Sequence, residues 1–318
     1  MNFAQKCMNQ PAPRQKEPLP LTLLRLVLAL QCIGLLAAYY LVSFEIESNV
    51  YELLYFDWHY PEAVAQGVDD GGVLLAGFCG IMLVVFGWLR FAAVASPPPS
   101  ERALRRQLRL AGWLERTAAC WLFVWFLAIA AAHQIRGGPY AQLALGEHAV
   151  RFLAPVAFWL CIPSAKAETF PGRWNRHAEP ILRLAAAATF AVHGYKAIQG
   201  YGPFLDLILL SDLRWSTGAV SEQLATVCLQ VIGWVDLVVA AVILTRWWPA
   251  AALYMTAWGL ITAASRMTAL GADYWPATIL RAANGGVPLV LLASWWCRTR
   301  VTPRCVDVSS DSSDVHAS

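Results

Sequence analysis

Apolar runs of about twenty residues recur eight times along this chain, and each is long enough to cross the hydrocarbon core of a bilayer. A backbone amide in lipid has no water to bond, so each run reads as a helix. The fold expected is all-α: a polytopic membrane helix bundle of about eight transmembrane helices. The runs cover 21–43, 72–95, 114–135, 148–164, 180–201, 223–245, 249–270 and 276–296, the fourth being the shortest. Composition agrees, because 58% of residues are hydrophobic and only 14% charged, where soluble chains carry nearer a quarter. A net charge of +3 is too small to point to a nucleic-acid partner; the lipid bilayer is the partner this composition demands. The first run is longer than a signal-peptide core and no A-x-A site follows it, so it reads as an uncleaved anchor.

The charges are sorted by loop. The N-terminal tail, the 96–113 segment (Arg102, Arg105, Arg106, Arg109), the 165–179 segment (Lys166, Arg173, Arg176) and the C-terminal tail (Arg298, Arg300, Arg304) are basic. The alternate loops hold only Arg136 and Arg214 and carry acids instead, among them Glu52, Asp57, Asp69, Glu147, Asp212 and Asp273. Lys/Arg bias sets topology, so both termini are expected in the cytoplasm. Four lysines against twenty arginines suit a GC-rich bacterial genome, and hence a multi-pass protein of a bacterial inner membrane. Trp113, Trp215, Trp247, Trp248, Trp275, Trp295 and Trp296 sit where interfacial anchors belong.

Charge inside the apolar runs is rarer and more informative. His193 and Lys196 lie three apart in the fifth run, on one helical face, and neither belongs in lipid. Partners are available in the later runs: Asp236 at mid-depth of the sixth, Arg266 in the seventh, Arg281 and Asn284 in the eighth. The similar depth of His193 and Asp236 makes a contact between them the expected one. The eight cysteines show no C-x-x-C or Cys/His zinc spacing, and read as small packing residues without disulfides. His59, His133 and His148 have no ligand-like spacing, so no metal site is expected. In the first outer loop VYELLYFDWHY reads as an aromatic helix at the membrane interface, or as a lid.

The two halves begin alike, with Leu24-Arg25-Leu26 matching Leu182-Arg183-Leu184, and their last runs share Arg151, Pro155 and Cys161 with Arg281, Pro288 and Cys297. Two parallel four-helix repeats would account for this. The polar pair is not doubled: Leu35 and Ala38 stand at the positions of His193 and Lys196. The chain then divides into a cytoplasmic tail (1–20), a first four-helix membrane half (21–164) with its aromatic outer loop (44–71), a cytoplasmic linker (165–179), a second four-helix half (180–297) and a polar tail (298–318). SPPPS at 96–100 reads as a stiff linker and the residues after Arg304 as a disordered tail. In the second half, LRLAAAATFAVHGYKAI, IGWVDLVVAAVIL, WGLITAASRMTAL and ILRAANGGVPLVLL together resemble the DoxX/DoxD-like four-helix membrane proteins. The resemblance implies a small helical bundle, in some members tied to quinone-linked membrane redox complexes.

Three functions compete. The first is a quinone-linked redox protein, or an accessory subunit of a membrane redox complex. An intramembrane His/Asp pair beside Trp234 and Trp258 supplies a proton donor and flat apolar walls, and electrons come from redox partner subunits, because no haem, flavin or iron–sulfur motif is present. The second is a small-anion transporter or channel using Lys196, Arg266 and Arg281. The third is a scaffold without chemistry. Orientation is the most exposed of these expectations. A reporter active only in the periplasm is expected to be silent when fused after Arg304 and active when fused near Gly67; the reverse contradicts the span map.

Overall fold

The computed structural model describes residues 18–41, 48–95, 100–162, 170–216 and 218–301. The two termini, most of SPPPS and the start of the 165–179 linker lie outside the described residues. Every regular element within them is helical: α1 (Leu19–Leu41), α2 (Asn49–Glu52), α3 (Glu62–Ala95), α4 (Glu101–Arg136), α5 (Ala144–Glu147), α6 (Ala149–Cys161), α7 (Phe170–Arg173), α8 (Glu179–Ile198), α9 (Gly202–Trp215), α10 (Glu222–Val242), α11 (Trp248–Leu270), α12 (Trp275–Leu280) and α13 (Ala282–Val301). Among the described residues five helical segments are long and apolar enough to cross a membrane: Leu19–Leu41, Glu62–Ala92, Arg106–Arg136, Ala141–Cys161 and Glu222–Val242. A sixth follows if the pair Ala272–Leu280 and Ala282–Thr299, bent by 52°, is one span. Helices α8 and α11, read as the fifth and seventh spans, fall outside this set. His193 and Lys196 in one, and Thr262, Ser265 and Arg266 in the other, lower their hydropathy.

Several boundaries move. Residues 62–71, read as part of the aromatic outer loop, belong to α3, and most of the basic 96–113 segment belongs to α4. The eighth run is not one helix but breaks at Arg281 between α12 and α13. Helix α9 was read as loop because fourteen residues are too few to span. Only the first part of VYELLYFDWHY is α-helical. It passes into a π turn over Leu53–Asp57 and leaves it at His59, whose φ is +56°. Tyr51 stacks on Tyr55 at 5.6 Å, and Arg136 from the end of α4 pairs with Glu52 and, at 3.3 Å, with Asp57. The loop is thus pinned to the bundle by one of the two arginines on its side.

Packing follows residue size. Helix α1 lies against α3, α12 and α13; α4 against α3 and α6; α6 against α8; α8 against α10; and α11 against α9 and α13. Lipid-facing helices gain little from apolar contact alone, so close approach needs small residues. Gly194 and Gly233 bring the backbones of α8 and α10 together: a Cβ added to Gly233 would sit 2.6 Å from the Gly194 carbonyl oxygen. Gly259 does the same for α11, where a Cβ would lie 2.7 Å from the Asn284 carbonyl oxygen.

The arginines that mark one end of the bundle also cap it. Arg183 donates to the carbonyls of Ile243 and Thr245, both at 2.7 Å, closing the end of α10. Arg116 and Arg173 each donate to the Ile162 carbonyl at 3.0 Å, closing α6. In the first half the fully buried Glu115 accepts from Arg25 at 2.9 Å and from Arg90 at 2.8 Å, tying α4 to α1 and α3. Orphan carbonyls and buried charges have no water to turn to in lipid, so these bonds are obligatory. The tight seam gives a direct test. Gly233→Ala is expected to destabilise the detergent-solubilised protein by about 1–3 kcal/mol, whereas Gly67→Ala, where nothing lies within 4 Å, is silent. Equal melting of the two variants contradicts the α8–α10 contact.

Candidate functional site

Helix α8 delivers two polar side chains to the interior, and short α5 meets them. Lys196 is 2% exposed, and its Nζ lies 2.5 Å from Glu147 Oε2. The ammonium also sits 4.8 Å from the Tyr201 ring centroid, a cation–π contact that uses the end of the pair not facing Glu147. His193 turns its Nε2 to Glu147 Oε1 at 3.7 Å and stands edge-on to Phe204, with centroids 5.8 Å apart. Glu147 therefore receives both His193 and Lys196.

The expected His193–Asp236 contact is corrected by this geometry. Asp236 is 3% exposed and accepts from the Tyr254 hydroxyl of α11 at 3.2 Å, with the Trp258 indole approaching the same carboxylate. The reason is the glycine seam. Gly194 brings the α8 backbone against Asp236, so that its carboxylate reaches along the seam to α11 while His193 points to α5.

These groups surround one cavity of about 570 Å³. His193, Asp236, Arg266, Arg281 and Asn284 all line it, and Lys196 lies behind Glu147 at its edge. Five of the six candidates read from the sequence thus meet at one space, with the sixth bonded to its wall. Arg266 donates to the Thr262 carbonyl at 3.3 Å and Arg281 to the Ala277 carbonyl at 2.9 Å, so each guanidinium is braced by its own helix. The lining also has an apolar part: Phe204, Leu207 and Ile208 from α9, Leu229 and Ile232 from α10, and Phe190 from α8. Cavities of this size and make-up, with a few converging polar groups, are typical of small-molecule sites.

Sequence reasoning missed Glu147, His148 and Arg151, which also line the cavity. Glu147 was counted with the loop acids, although it lies one residue before the shortest run. Arg151 had a usable signal, since it is the residue that matches Arg281 in the other half. His133, Glu147 and His148 place one ligand-type atom each within 4.8 Å of one another. Charge argues against a cation there, because Lys196 already neutralises Glu147 and Arg151 lies one turn beyond His148. Four cations (Lys196, Arg151, Arg266, Arg281) face two carboxylates (Glu147, Asp236) around the site, so its field favours electron-rich oxygen.

No protein-family model, curated protein or solved structure matches the chain.

The pairings are separable by double-mutant cycles. Lys196→Met and Glu147→Gln each leave a buried charge alone and are expected to cost about 3–5 kcal/mol, and the double variant costs clearly less than the sum. His193→Leu with Asp236→Leu is expected to be additive to within about 0.5 kcal/mol. Additivity in the first cycle, or strong coupling in the second, contradicts the geometry.

Proposed function

We propose that this protein binds a lipid-soluble molecule of the quinone class in the cavity between α8, α9, α10 and α11, and serves a membrane redox complex whose other subunits supply the electrons. One observation carries the reading: aromatic and aliphatic side chains share a single 570 Å³ space with a set of donors and proton carriers. A quinone ring needs apolar faces, donors for its carbonyl oxygens and a source of protons. Phe190, Phe204 and Trp258 offer the first, and Arg151, Arg266 and Arg281 the second. The Glu147, His193 and Lys196 group supplies the third, with Asp236 and Tyr254 as a second acid pair. The resemblance of 180–297 to DoxX/DoxD-like proteins points the same way.

The finer membrane reading belongs with it. We take α8 and α11 as spans whose polar faces are turned inward, which restores eight crossings in a bacterial inner membrane with both termini cytoplasmic. Two parallel four-helix repeats are supported by how the helices pair. In the first half α1 lies on α3 and α4 on α6; in the second α8 lies on α10 and α11 on α13; and α1 meets α13 as α8 meets α6. That pattern is what a two-fold axis along the membrane normal would give.

Organic extraction of the purified protein tests the function. Quinone recovered near one equivalent, and thermal stabilisation by decylubiquinone that is lost in Trp258→Ala, are the expected results. A protein that carries no quinone and is stabilised instead by small anions would favour the transport reading, for which the excess of cations at the cavity is the supporting observation. Redox partner subunits co-purifying without quinone would favour a scaffold.

A further inference from the structure

Helix α9 is unlike any other part of the bundle. Its sequence, GPFLDLILLSDLRW, is largely apolar, yet none of its residues is buried. Leu213 and Trp215 are 70% and 73% exposed, which in water would be costly and at a membrane surface is favourable. Its other side contributes Phe204, Leu207, Ile208 and Ser211 to the cavity. One helix thus has lipid on one face and the binding space on the other.

The attachment of α9 is equally uneven. It is entered through Gly200, at φ +67°, and left near Gly218, at φ +66°, both left-handed positions where glycine moves without steric cost. It packs mainly on α11 and more lightly on α10, and α10 and α11 touch each other only slightly. By contrast α10 is locked to α8 by the Gly194–Gly233 seam, and α11 to α13 by Gly259. The side of the cavity between α10 and α11 is therefore closed chiefly by α9. Two side-chain contacts hold it to α11: the Ser211 hydroxyl with Thr268 Oγ1 at 2.8 Å, and Trp215 Nε1 donating to the Thr268 carbonyl at 2.8 Å. A third bond, Val220 N–H to Asp212 Oδ2 at 2.9 Å, bridges Gly218 and must part before that turn rotates. Ile261 of α11 lines the cavity and is also 56% exposed, so the wall is already thin at this seam.

We infer that α9 is a lateral gate and that the cavity takes its ligand from the bilayer through the α10–α11 seam, not from water. The inference rests on the cavity being a ligand site, and it narrows the ligand to one dissolved in lipid. Opening requires release of the Thr268 contacts and rotation at the two glycines. Closing returns Phe204 to His193 and shuts the polar end off from solvent.

The experiment uses the full chain in proteoliposomes, with Cys7, Cys120, Cys228, Cys297 and Cys305 replaced by serine and Ser265→Cys as a reporter inside the cavity. A membrane-partitioning maleimide, pyrene maleimide, is compared with a charged, water-soluble methanethiosulfonate. The lipid-borne reagent is expected to label Ser265→Cys at least about tenfold faster. Adding Ser211→Cys and Thr268→Cys and oxidising them should slow that labelling by about tenfold or more, with recovery on reduction. Thr268→Val, which removes only the hydroxyl contact, should speed it and serves if the cross-linked variant folds poorly. Labelling by the charged reagent as fast as by the lipid-borne one, or a cross-link without effect, overturns the gate. Decylubiquinone binding measured on the same samples keeps the two claims apart. Gated labelling without quinone binding contradicts only the choice of ligand, and quinone binding that ignores the cross-link contradicts only the gate.

Discussion

The ion pair between Lys196 and Glu147 is the interaction on which the second half of this protein depends. An ammonium within an apolar helix is tolerable only if an opposite charge reaches it, since desolvation otherwise drives it to lose its proton or leave the bilayer core. Its distance of 2.5 Å, with Lys196 almost fully enclosed, makes α5 a structural necessity and not a stray turn in a loop. Once Glu147 is held there, His193 has its partner, Tyr201 has a cation beneath its ring, and the chain is steered into the Gly200 turn that begins α9. The glycine seam between α8 and α10 then fixes Asp236 on the far side, where Tyr254 and Trp258 receive it. The cavity is the space left between these two acid centres.

The first half solves the same problem differently. Leu35 and Ala38 stand where His193 and Lys196 would be, and at the arginine-rich end the buried Glu115 binds Arg25 and Arg90. Such a triad meets one buried carboxylate with two guanidinium groups, which suits a packing role. The cavity instead gathers charge from both halves, Glu147 and Arg151 from the first and Asp236, Arg266 and Arg281 from the second. That contrast separates charges that only tie helices together from charges that border an open space.

How much of this was legible depended on range. Helix positions were readable because lipid imposes length and hydropathy on each segment, and the polar candidates because a charged side chain stands out against Leu and Ala. His193, Asp236, Arg266, Arg281 and Asn284 converge as a group for that reason. Their pairing was not readable, since equal depth on two helices does not fix which way each side chain rotates. Glu147 was hidden by its neighbours: an acid just ahead of a short apolar run looks like loop charge until the fold turns it inward. Helix α9 was hidden by length, because fourteen apolar residues satisfy neither the rule for a span nor that for a loop. The break at Arg281 similarly needs the tertiary packing of α12 on α1 to become visible.

The proposed function requires a ring-shaped, lipid-soluble ligand in the space between α9 and α11. Photo-cross-linking with an azido-quinone in native membranes, followed by peptide mapping, measures this directly. Label is expected on the cavity faces of α9 and α11, around Leu207, Ile208, Trp258 and Thr262, and is competed away by unmodified quinone. Label confined to lipid-facing residues such as Val231, Val238 and Leu253, or label that competitor does not displace, would contradict the proposed function.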